Sequence, residues 1–375
     1  MGDVQESEFS KDVSPVDIKQ IRKVDQRLAA ALGDKRIEEI PGLGSRVDLG
    51  NLNIQLINGC FWVKNGAGRE HELCLHNQLM WAGPLDHASF FKYLSNGFTP
   101  AYMMISATEM SDVYMVTAIK KKDGTFEPIR LQYLYASGYF GSYVERHVRN
   151  NGYMTAGITD FTFEVNDEGR PHWVITKYDR KVGFDGEIPT GVIVVDAQTG
   201  KINEYTVENA PSWIDRIQPE SMTAERLNDW GAYVHGWWNS LFSATDVVTT
   251  TPGMSLVHGS DGRSFWYSGL QSAGSDQSSN SFVLVDTRTR KTKRYMISGA
   301  NEVAARRQAE AHPLAKPSGL VGTHPILYNV GGEATYFVSL KGSSGIAQLF
   351  SFVNMKHYET VGVGRDLQAA LVKDG

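Results

Sequence analysis

The feature that most constrains the fold is an internal repeat with a period of about ninety residues. Residues 191–205 and 282–295 share one pattern: an apolar, β-branched run, an aspartate, a polar turn that contains threonine, and a second strand that ends in tyrosine. The two aspartates are Asp196 and Asp286. Alternating strands around a turn of this chemistry predict a β-hairpin in each segment.

Two weaker segments extend the repeat. Counting back about ninety residues from Asp196 reaches Ser106, inside a similar pattern at residues 102–116, and a copy with shorter spacing lies at residues 349–362. Each hairpin is preceded by another candidate strand pair whose turn is of the Asn-Gly, Asp-x-x-Gly or Gly-Gly type, and these turns tolerate positive φ. The earlier pairs lie at residues 54–63, 162–178, 255–267 and 326–340. Every copy is therefore predicted to contain about four antiparallel strands.

Helical patterns fall between the predicted sheets. The first begins at Ser14, with Pro15 in the first helical position, keeps one apolar face, and ends at Gly33. The other predicted helices span residues 143–149, 223–238, 301–311 and 366–373. These patterns predict an α+β fold, a tandem array of about four units in which one helix lies on a small antiparallel sheet.

The expected organisation is a flexible N-terminal segment followed by four consecutive units. The segment spans residues 1–13, and the units span residues 14–120, 121–210, 211–297 and 298–375, the last with a C-terminal helix.

The turn Asp-Ala-Gln-Thr-Gly-Lys at residues 196–201 resembles the second hairpin of PepSY-like modules, and residues 286–291 match it in part. Residues 43–364 are also similar to a group of uncharacterised bacterial and phage-associated proteins, through the runs at residues 157–161 and 210–216. The resemblance implies a fold and not a reaction. Because PepSY modules are associated with protease propeptides, envelope proteins and protein contacts, it implies binding more readily than catalysis.

Charge and composition exclude several classes of protein. The chain has 37 Lys and Arg against 42 Asp and Glu, a net charge of −5, which argues against a dedicated nucleic-acid binder. A hydrophobic fraction of 41% is that of a globular protein. The sequence shows neither a signal-peptide pattern nor an apolar run long enough to span a membrane. A cytoplasmic or virion protein is therefore expected.

The familiar catalytic motifs are missing from the sequence. It contains no Gly-x-Ser-x-Gly elbow, Walker loop, dinucleotide fingerprint or His-Glu-x-x-His helix. Two polar groups, Asp86-His87 beside an aromatic run and the charged helix face at residues 145–149, are interpreted as structural pairing and a solvated helix face. We accordingly predict no enzyme, no catalytic residue and no cofactor.

One cluster has the residue types of a zinc site. Cys60, His71, Cys74 and His76 supply thiol and imidazole ligands, but they lack the close pairwise spacing of structural zinc sites. A buried free cysteine beside a polar loop is the expected arrangement, and no metal site is predicted.

The predicted third helix carries the strongest candidate for an interaction surface. Trp230, Tyr233 and Trp237 lie at positions i, i+3 and i+7, which places them in one stripe, and Trp238 follows. The stripe either fills the core between units or forms a protein–protein hot spot, because Trp and Tyr dominate binding energy at interfaces.

The sequence therefore predicts a non-enzymatic structural or interaction protein. It would assemble into a larger complex, such as a phage particle or a bacterial envelope machine, through protein partners or self-assembly and without nucleic acid. One alternative is an inhibitor or chaperone-like module that caps a protease or another enzyme. Another alternative is a hydrolase whose residues come from separate units.

Overall fold

In the computed structural model, strands account for 44% and helices for 21% of the residues that the structure describes. The model describes residues 4–65, 69–180, 186–233, 248–251, 253–258, 263–272, 278–279 and 281–371.

The strands in chain order are β1 (Val4–Glu6), β2 (Val47–Leu49), β3 (Asn53–Lys64), β4 (Glu70–His87), β5 (Tyr102–Ser106), β6 (Val113–Lys120), β7 (Phe126–Pro128), β8 (Gly157–Val165), β9 (Pro171–Arg180), β10 (Glu187–Asp196), β11 (Ile202–Thr206), β12 (Val248–Thr250), β13 (Ser255–His258), β14 (Ser264–Ser272), β15 (Ser278–Ser279), β16 (Ser281–Asp286), β17 (Thr292–Tyr295), β18 (Gly299–Ala300), β19 (Val321–Gly322), β20 (Ile326–Val330), β21 (Glu333–Lys341), β22 (Ala347–Asn354) and β23 (Val361–Gly364). The α-helices are α1 (Phe9–Asp12), α2 (Gln26–Glu38), α3 (Phe90–Asn96), α4 (Val144–Val148), α5 (Glu220–Tyr233), α6 (Glu302–Ala311) and α7 (Leu367–Leu371). Short helical turns lie at Ile18–Gln20, Phe140–Ser142, Arg149–Tyr153 and Lys316–Ser318.

The described residues form two units, which we name for their places in the sequence. The middle unit contains residues 19–180 and 188–217, and the flanking unit contains residues 4–18, 186–187 and 218–371.

The middle unit is built on two antiparallel sheets. In the first sheet β4, β3, β6 and β5 pair in that order, and β4 also pairs with β5, while β2 and β7 extend the edges. The second sheet is the meander β8–β9–β10–β11. Both sheets contribute to one core, which includes the buried side chains of Phe61, Tyr102, Phe163, Trp173 and Ile193. The helix α2 packs against β2 and β5.

The flanking unit also contains two larger sheets. One has the order β1–β17–β16–β14–β12, with β13 also paired to β14; the other has the order β19–β21–β22–β23, with β20 paired to β21. The pairing of β1 with β17 is parallel. The interior includes several large aromatic side chains: Phe282 stacks on Tyr295 at 5.0 Å, and the hydroxyls of Tyr267 and Tyr336 hydrogen-bond at 2.6 Å.

The repeated strand–turn–strand pattern is confirmed in all four copies. The pairs β5–β6, β10–β11, β16–β17 and β22–β23 are antiparallel hairpins at the predicted positions. In each, a side-chain oxygen at the end of the first strand accepts hydrogen bonds from the backbone N–H groups two and three residues later. The four residues that supply this oxygen are Ser106, Asp196, Asp286 and Asn354.

The fold predicted around these hairpins is wrong. The chain is mostly β and is not a tandem array of four helix-plus-sheet units of the PepSY kind. The contacts group the described residues into two units instead, and residues 19–180 and 188–217 of the middle unit lie between parts of the flanking unit in sequence. Helical periodicity indicates which face of a helix is apolar, but it does not reveal which surface that face covers.

The first predicted helix is also misplaced. Residues 14–25 contain only a short helical turn, and α2 begins after Asp25, whose carboxylate accepts a hydrogen bond from the Leu28 N–H at 2.8 Å. The predicted end, Gly33, lies inside α2, where an added Cβ would sit 2.6 Å from the side chain of Leu49. The later helices are confirmed in their described parts as α4, α5, α6 and α7, with Asn301 as the N-cap of α6.

Three of the four earlier strand pairs are confirmed, as β8–β9, β13–β14 and β20–β21. The pair at residues 54–63 is wrong because Asn58 and Gly59 lie inside β3, at a shift of register against β4. Gly59 has a φ of +128°, so the dipeptide forms a β-bulge and not a turn. Among the described residues, no helix has the length and apolar character needed to cross a bilayer.

Candidate functional site

Most of the predicted aromatic interaction stripe lies outside the described residues. Trp237 and Trp238 are not described, and Tyr233 is described only as the last backbone position of α5. Trp230 is half-buried, and the guanidinium of Arg294 lies 5.6 Å from its ring centroid. The stripe therefore stays a prediction.

Asp86 and His87 form a buried polar group with Ser137. The Ser137 hydroxyl donates to Asp86 Oδ1 at 2.7 Å and accepts a hydrogen bond from the His87 backbone N–H at 2.8 Å. Burial raises the pKa of Asp86 and lowers the pKa of His87. Since the hydroxyl proton of Ser137 is directed at a carboxylate and the His87 ring packs 5.4 Å from Tyr93, this is not a nucleophile with an imidazole base.

The charged helix face at residues 145–149 contacts backbone carbonyls of the segments that surround α4. Arg146 donates to the carbonyl of Phe140, and Arg149 donates to the carbonyl of Ala156 at 2.8 Å. His147 Nε2 lies 2.7 Å from the carbonyl oxygen of Gly200. These contacts hold loops in place, and of the three side chains only that of Arg146 is exposed.

The cysteines are joined to each other. Cys60 on β3 and Cys74 on β4 are direct partners in the sheet and form a disulfide. The prediction of a free, buried cysteine is therefore wrong. Neither cysteine is free, and neither is buried, because Cys60 is half-buried and Cys74 is exposed. The four residues of the zinc type that the sequence contains are not all brought together: His71 and Cys74 lie on opposite faces of β4, because side chains alternate along a strand.

The most prominent functional candidate is an exposed group of apolar side chains in the middle unit, which we call the aromatic surface. Its exposed fractions are 36% for Phe90, 76% for Phe91, 59% for Leu94 and 60% for Phe140. Tyr93 and Tyr139 complete it, half-buried beneath these side chains. Such contiguous exposed apolar side chains mark interaction sites more often than isolated ones do.

The local sequence explains why this surface has a defined shape. The helix α3 begins after Ser89, whose hydroxyl accepts from the Lys92 N–H, and ends at Gly97, where φ is +70°. None of the seven residues of α3 is fully buried, so its apolar side chains form an open face. The Tyr93 hydroxyl donates to the carbonyl of Tyr139 at 3.2 Å, which fastens α3 to the second segment of the surface.

Ring contacts join the two segments of the aromatic surface. The Phe90 ring lies 5.0 Å from that of Tyr139 in an edge-to-face arrangement and 6.1 Å from that of Phe140. The Tyr93 and Tyr139 rings are 5.1 Å apart. The surface is therefore a pre-formed group of rings and not a set of unconnected side chains.

Positive charge lies at the edge of the aromatic surface. Lys92 belongs to α3 itself, and the exposed Arg146 donates to the Phe140 carbonyl. The adjacent acidic residue, Glu145, is balanced by Arg149 at 3.6 Å. The edge therefore favours a partner that carries negative charge.

Each unit also has a buried carboxylate. In the middle unit, burial together with the nearby Asp215 raises the pKa of Glu164 to about 8. In the flanking unit, burial raises the pKa of Glu302, whose Oε1 accepts from the Thr251 hydroxyl at 2.8 Å and the Gly269 N–H at 3.2 Å. Both belong to the interior, since each side chain is almost wholly buried.

The flanking unit contains a cavity of about 480 Å³ between the segment at residues 296–298 and two turns. Glu333, Asn354, Lys356 and His357 are among its lining residues. Asn354 serves the repeated turn, since its Oδ1 accepts from the N–H groups of Lys356 and His357, and its amide donates to Glu333. The polar side chains of Asn354 and Glu333 are thus already paired within the turn, which leaves the aromatic surface as the better candidate.

In the sequence analysis the aromatic run at residues 90–93 appears only as the neighbour of Asp86 and His87. This run is the sequence signal for the aromatic surface, but its exposure depends on packing that a sequence does not display.

No protein-family model matches the chain, and no curated protein matches it. Among solved structures, the trigonal crystal form of an ACO/RPE65 chimera is similar over 84% of this chain and 60% of that chain, with 9% identity and a TM-score of 0.19. This chain thus spans about 60% of the length of that chain. A likeness of this size carries no argument about fold or activity, and the PepSY resemblance stays a prediction.

Proposed function

We propose that the protein is a non-enzymatic binding protein whose aromatic surface docks a partner protein through an apolar segment that also carries acidic residues. The observation that supports this most directly is the exposure of Phe91, Leu94 and Phe140 on a surface whose rings are already packed against one another. Rigid aromatic side chains gain contact area at little entropic cost when a partner covers them.

The chemistry of the partner follows from the edge of the surface. Lys92 and Arg146 would face acidic side chains, while the phenylalanines and Leu94 would cover apolar ones. A membrane surface fits less well. The helix α3 has seven residues with one lysine, and the chain carries a net charge of −5, whereas helices that lie on anionic membranes are long and rich in cations.

A displayed library of random peptides, selected against the full chain, tests the proposal. We expect selected peptides to combine apolar and acidic residues and to lose about tenfold or more in affinity for the variant Phe91→Ser/Leu94→Ser. The matched control is Met154→Ser, which removes a side chain that is 65% exposed in the same unit and should change nothing. The variant Lys92→Glu should bind the same peptides more weakly, and added salt should lower the affinity further.

Three results would overturn the proposal. Peptides that bind Phe91→Ser/Leu94→Ser as tightly as the wild type would place the binding site elsewhere. If the wild type sediments with vesicles of phosphatidylglycerol and phosphatidylcholine and the same variant does not, the surface would be assigned to membranes. Light scattering that shows a dimer of the wild type and a monomer of the variant would assign it to self-assembly.

A further inference from the structure

We propose that reduction of the Cys60–Cys74 disulfide creates a zinc site, in which the two thiolates and the Glu72 carboxylate are the protein ligands. This inference is independent of the aromatic surface. The oxidised protein would not bind the metal, so the site is controlled by the redox state of the cysteines.

The first argument is that the backbone keeps the two sulfurs together after reduction. Cys60 and Cys74 are direct cross-strand partners with their Cα atoms 4.1 Å apart. Pairing continues on both sides, through Phe61 with Leu73 and through Gly59 with Leu75. The thiols therefore stay neighbours because the ladder holds them, with or without the covalent bond.

The adjacent β-bulge has its own fastening. The Asn77 N–H donates to Asn58 Oδ1 at 2.9 Å, across the two strands at the irregular point. Phe61 is fully buried in the core of the middle unit, which anchors β3 one residue beyond Cys60. The local geometry is thus supported by hydrogen bonds and burial that reduction does not remove.

The third ligand is Glu72. It lies two residues before Cys74 and so shares its face of β4. Its Oε1 is 3.8 Å from Cys74 Sγ, and a carboxylate oxygen lies within 4.8 Å of both sulfurs. Two thiolates, a carboxylate and one water make a four-coordinate set that suits zinc.

The charges of this set also balance. Two thiolates and the carboxylate would carry three negative charges. Lys120 Nζ already lies 2.6 Å from Glu72 Oε1 and supplies one positive charge, and a zinc ion would supply the other two. The metal therefore neutralises the negative charge that arises when the two thiols lose their protons to bind it.

The chemistry needs a dithiol reductant, such as a Cys-x-x-Cys protein. A thiolate of the reductant attacks one sulfur, the Cys60–Cys74 bond breaks, and a mixed disulfide forms between the reductant and one cysteine. The second thiol of the reductant then attacks its own sulfur in that mixed disulfide, and the cysteine of this chain leaves as a thiolate that takes up a proton. The reductant becomes a disulfide, and two electrons and two protons pass to Cys60 and Cys74. Zinc then displaces the two thiol protons. Cys74 is exposed, so the reductant has access to its sulfur.

Neither of the two nearby histidines, His71 and His76, belongs to this group of ligand atoms. His71 lies on the opposite face of β4, where its ring contacts that of Tyr114 at 6.4 Å. Among the described residues, the ligand atoms that come within 4.8 Å of one another at this place are those of Cys60, Glu72 and Cys74. The geometry therefore selects a carboxylate as the third ligand, which makes His71 a matched control.

The test is a titration of the full chain with Co²⁺, a spectroscopic substitute for zinc, before and after reduction with a phosphine that is then removed. We expect the reduced protein to bind one Co²⁺ with a thiolate-to-cobalt charge-transfer band, and zinc to displace it. The oxidised protein should show no such band. Cys60→Ser should abolish it, Glu72→Gln should weaken binding about tenfold or more, and His71→Ala should leave it unchanged.

Three outcomes would each overturn the inference: a reduced wild type that binds Co²⁺ no better than reduced Cys60→Ser, a loss in His71→Ala as large as that in Glu72→Gln, or a reduced protein that no longer has the circular dichroism of its sheets and binds no metal. Folding of the reduced chain is thus measured in the same samples.

Discussion

Ser106 and Asp196, about ninety residues apart in the middle unit, accept equivalent pairs of hydrogen bonds, each from the backbone N–H groups two and three residues later. The hydroxyl oxygen of Ser106 accepts from the N–H groups of Thr108 and Glu109, and the carboxylate of Asp196 accepts from those of Gln198 and Thr199. The next N–H after each residue donates to the carbonyl of a neighbouring strand, at Leu79 and Pro171. The repeat therefore resides in how a strand ends, and different side chains can supply the same acceptor.

The turn acceptor should contribute measurably to stability in the flanking unit, where Asp286 accepts from the N–H groups of Arg288 and Thr289. We expect Asp286→Ala to lower the free energy of unfolding by about 1 kcal/mol or more, because two N–H groups lose their acceptor. Asp286→Asn retains an acceptor oxygen and should cost only a few tenths of a kcal/mol. Urea denaturation of both variants measures this, and equal losses would contradict the role of the oxygen.

The turns after Asp196 and Asp286 each contain a residue with positive φ at the equivalent position. Gly200 has a φ of +72° and Arg290 has a φ of +66°. An added Cβ at Gly200 would lie 2.3 Å from the Tyr133 ring, so Gly200→Ala should cost about 2 kcal/mol or more. Arg290→Gly should instead stabilise by about 0.5 kcal/mol, because relief of the left-handed backbone exceeds the entropy that glycine adds to the unfolded chain. Urea midpoints compare the two, and a stabilising Gly200→Ala would refute the assignment.

Stability should depend on pH through Glu164. The pKa of this carboxyl is about 8 in the folded protein, against an ordinary value of 4.5, so the folded state holds a proton that the unfolded state has released. Its contribution is fully present below pH 4.5 and is lost as the pH rises through 8. Across that window the free energy of unfolding should fall by about 1.4 kcal/mol per pH unit from this group alone.

Glu164→Gln is the control for that pH dependence. The amide keeps an acceptor for the Asp215 N–H, which now donates to Glu164 Oε2 at 3.3 Å, but it does not titrate. The difference between wild type and variant, measured by urea denaturation from pH 5 to 9, should grow in favour of the variant as the pH rises. A constant difference would show that Glu164 does not hold the proton.

The aromatic surface should be nearly neutral for folding. We expect Phe91→Ser/Leu94→Ser to change the free energy of unfolding by no more than about 0.5 kcal/mol, because neither side chain is buried. Phe61→Ala, which empties a fully buried site in the same unit, should cost about 3–5 kcal/mol. Thermal unfolding of the two variants checks the contrast, and a large loss in the surface variant would assign its side chains to the core.

Hairpins could be predicted from the sequence because their signals are local. The run at residues 166–169 forms a turn with Gly169 at a φ of +79°, and Gly331 and Gly332 do the same between β20 and β21. Asn58-Gly59 looked equivalent but lies in a bulge, because the long β4 offers β3 a continuous partner. Only pairing across the sheet distinguishes the two cases.

The first helix and the candidate sites show what local signals leave out. Ser14 with Pro15 is as good a helix start in sequence as Asp25, yet Val24 is buried and its N–H donates to the Ala107 carbonyl, which excludes a helix through that point. The Cys60–Cys74 pairing likewise depends on register across β3 and β4, which the spacing of fourteen residues does not reveal. Exposure of Phe91 depends on what packs beside α3.

The parallel pairing of β1 with β17 has a consequence for biosynthesis. Residues 4–6 meet residues 292–294, so at 5–20 residues per second a ribosome needs about 15–60 s between making the one strand and making its partner. The whole of the middle unit emerges in that interval, since its last residue is 217. It can finish folding during translation, while the nascent N-terminal strand waits for the final third of the polypeptide.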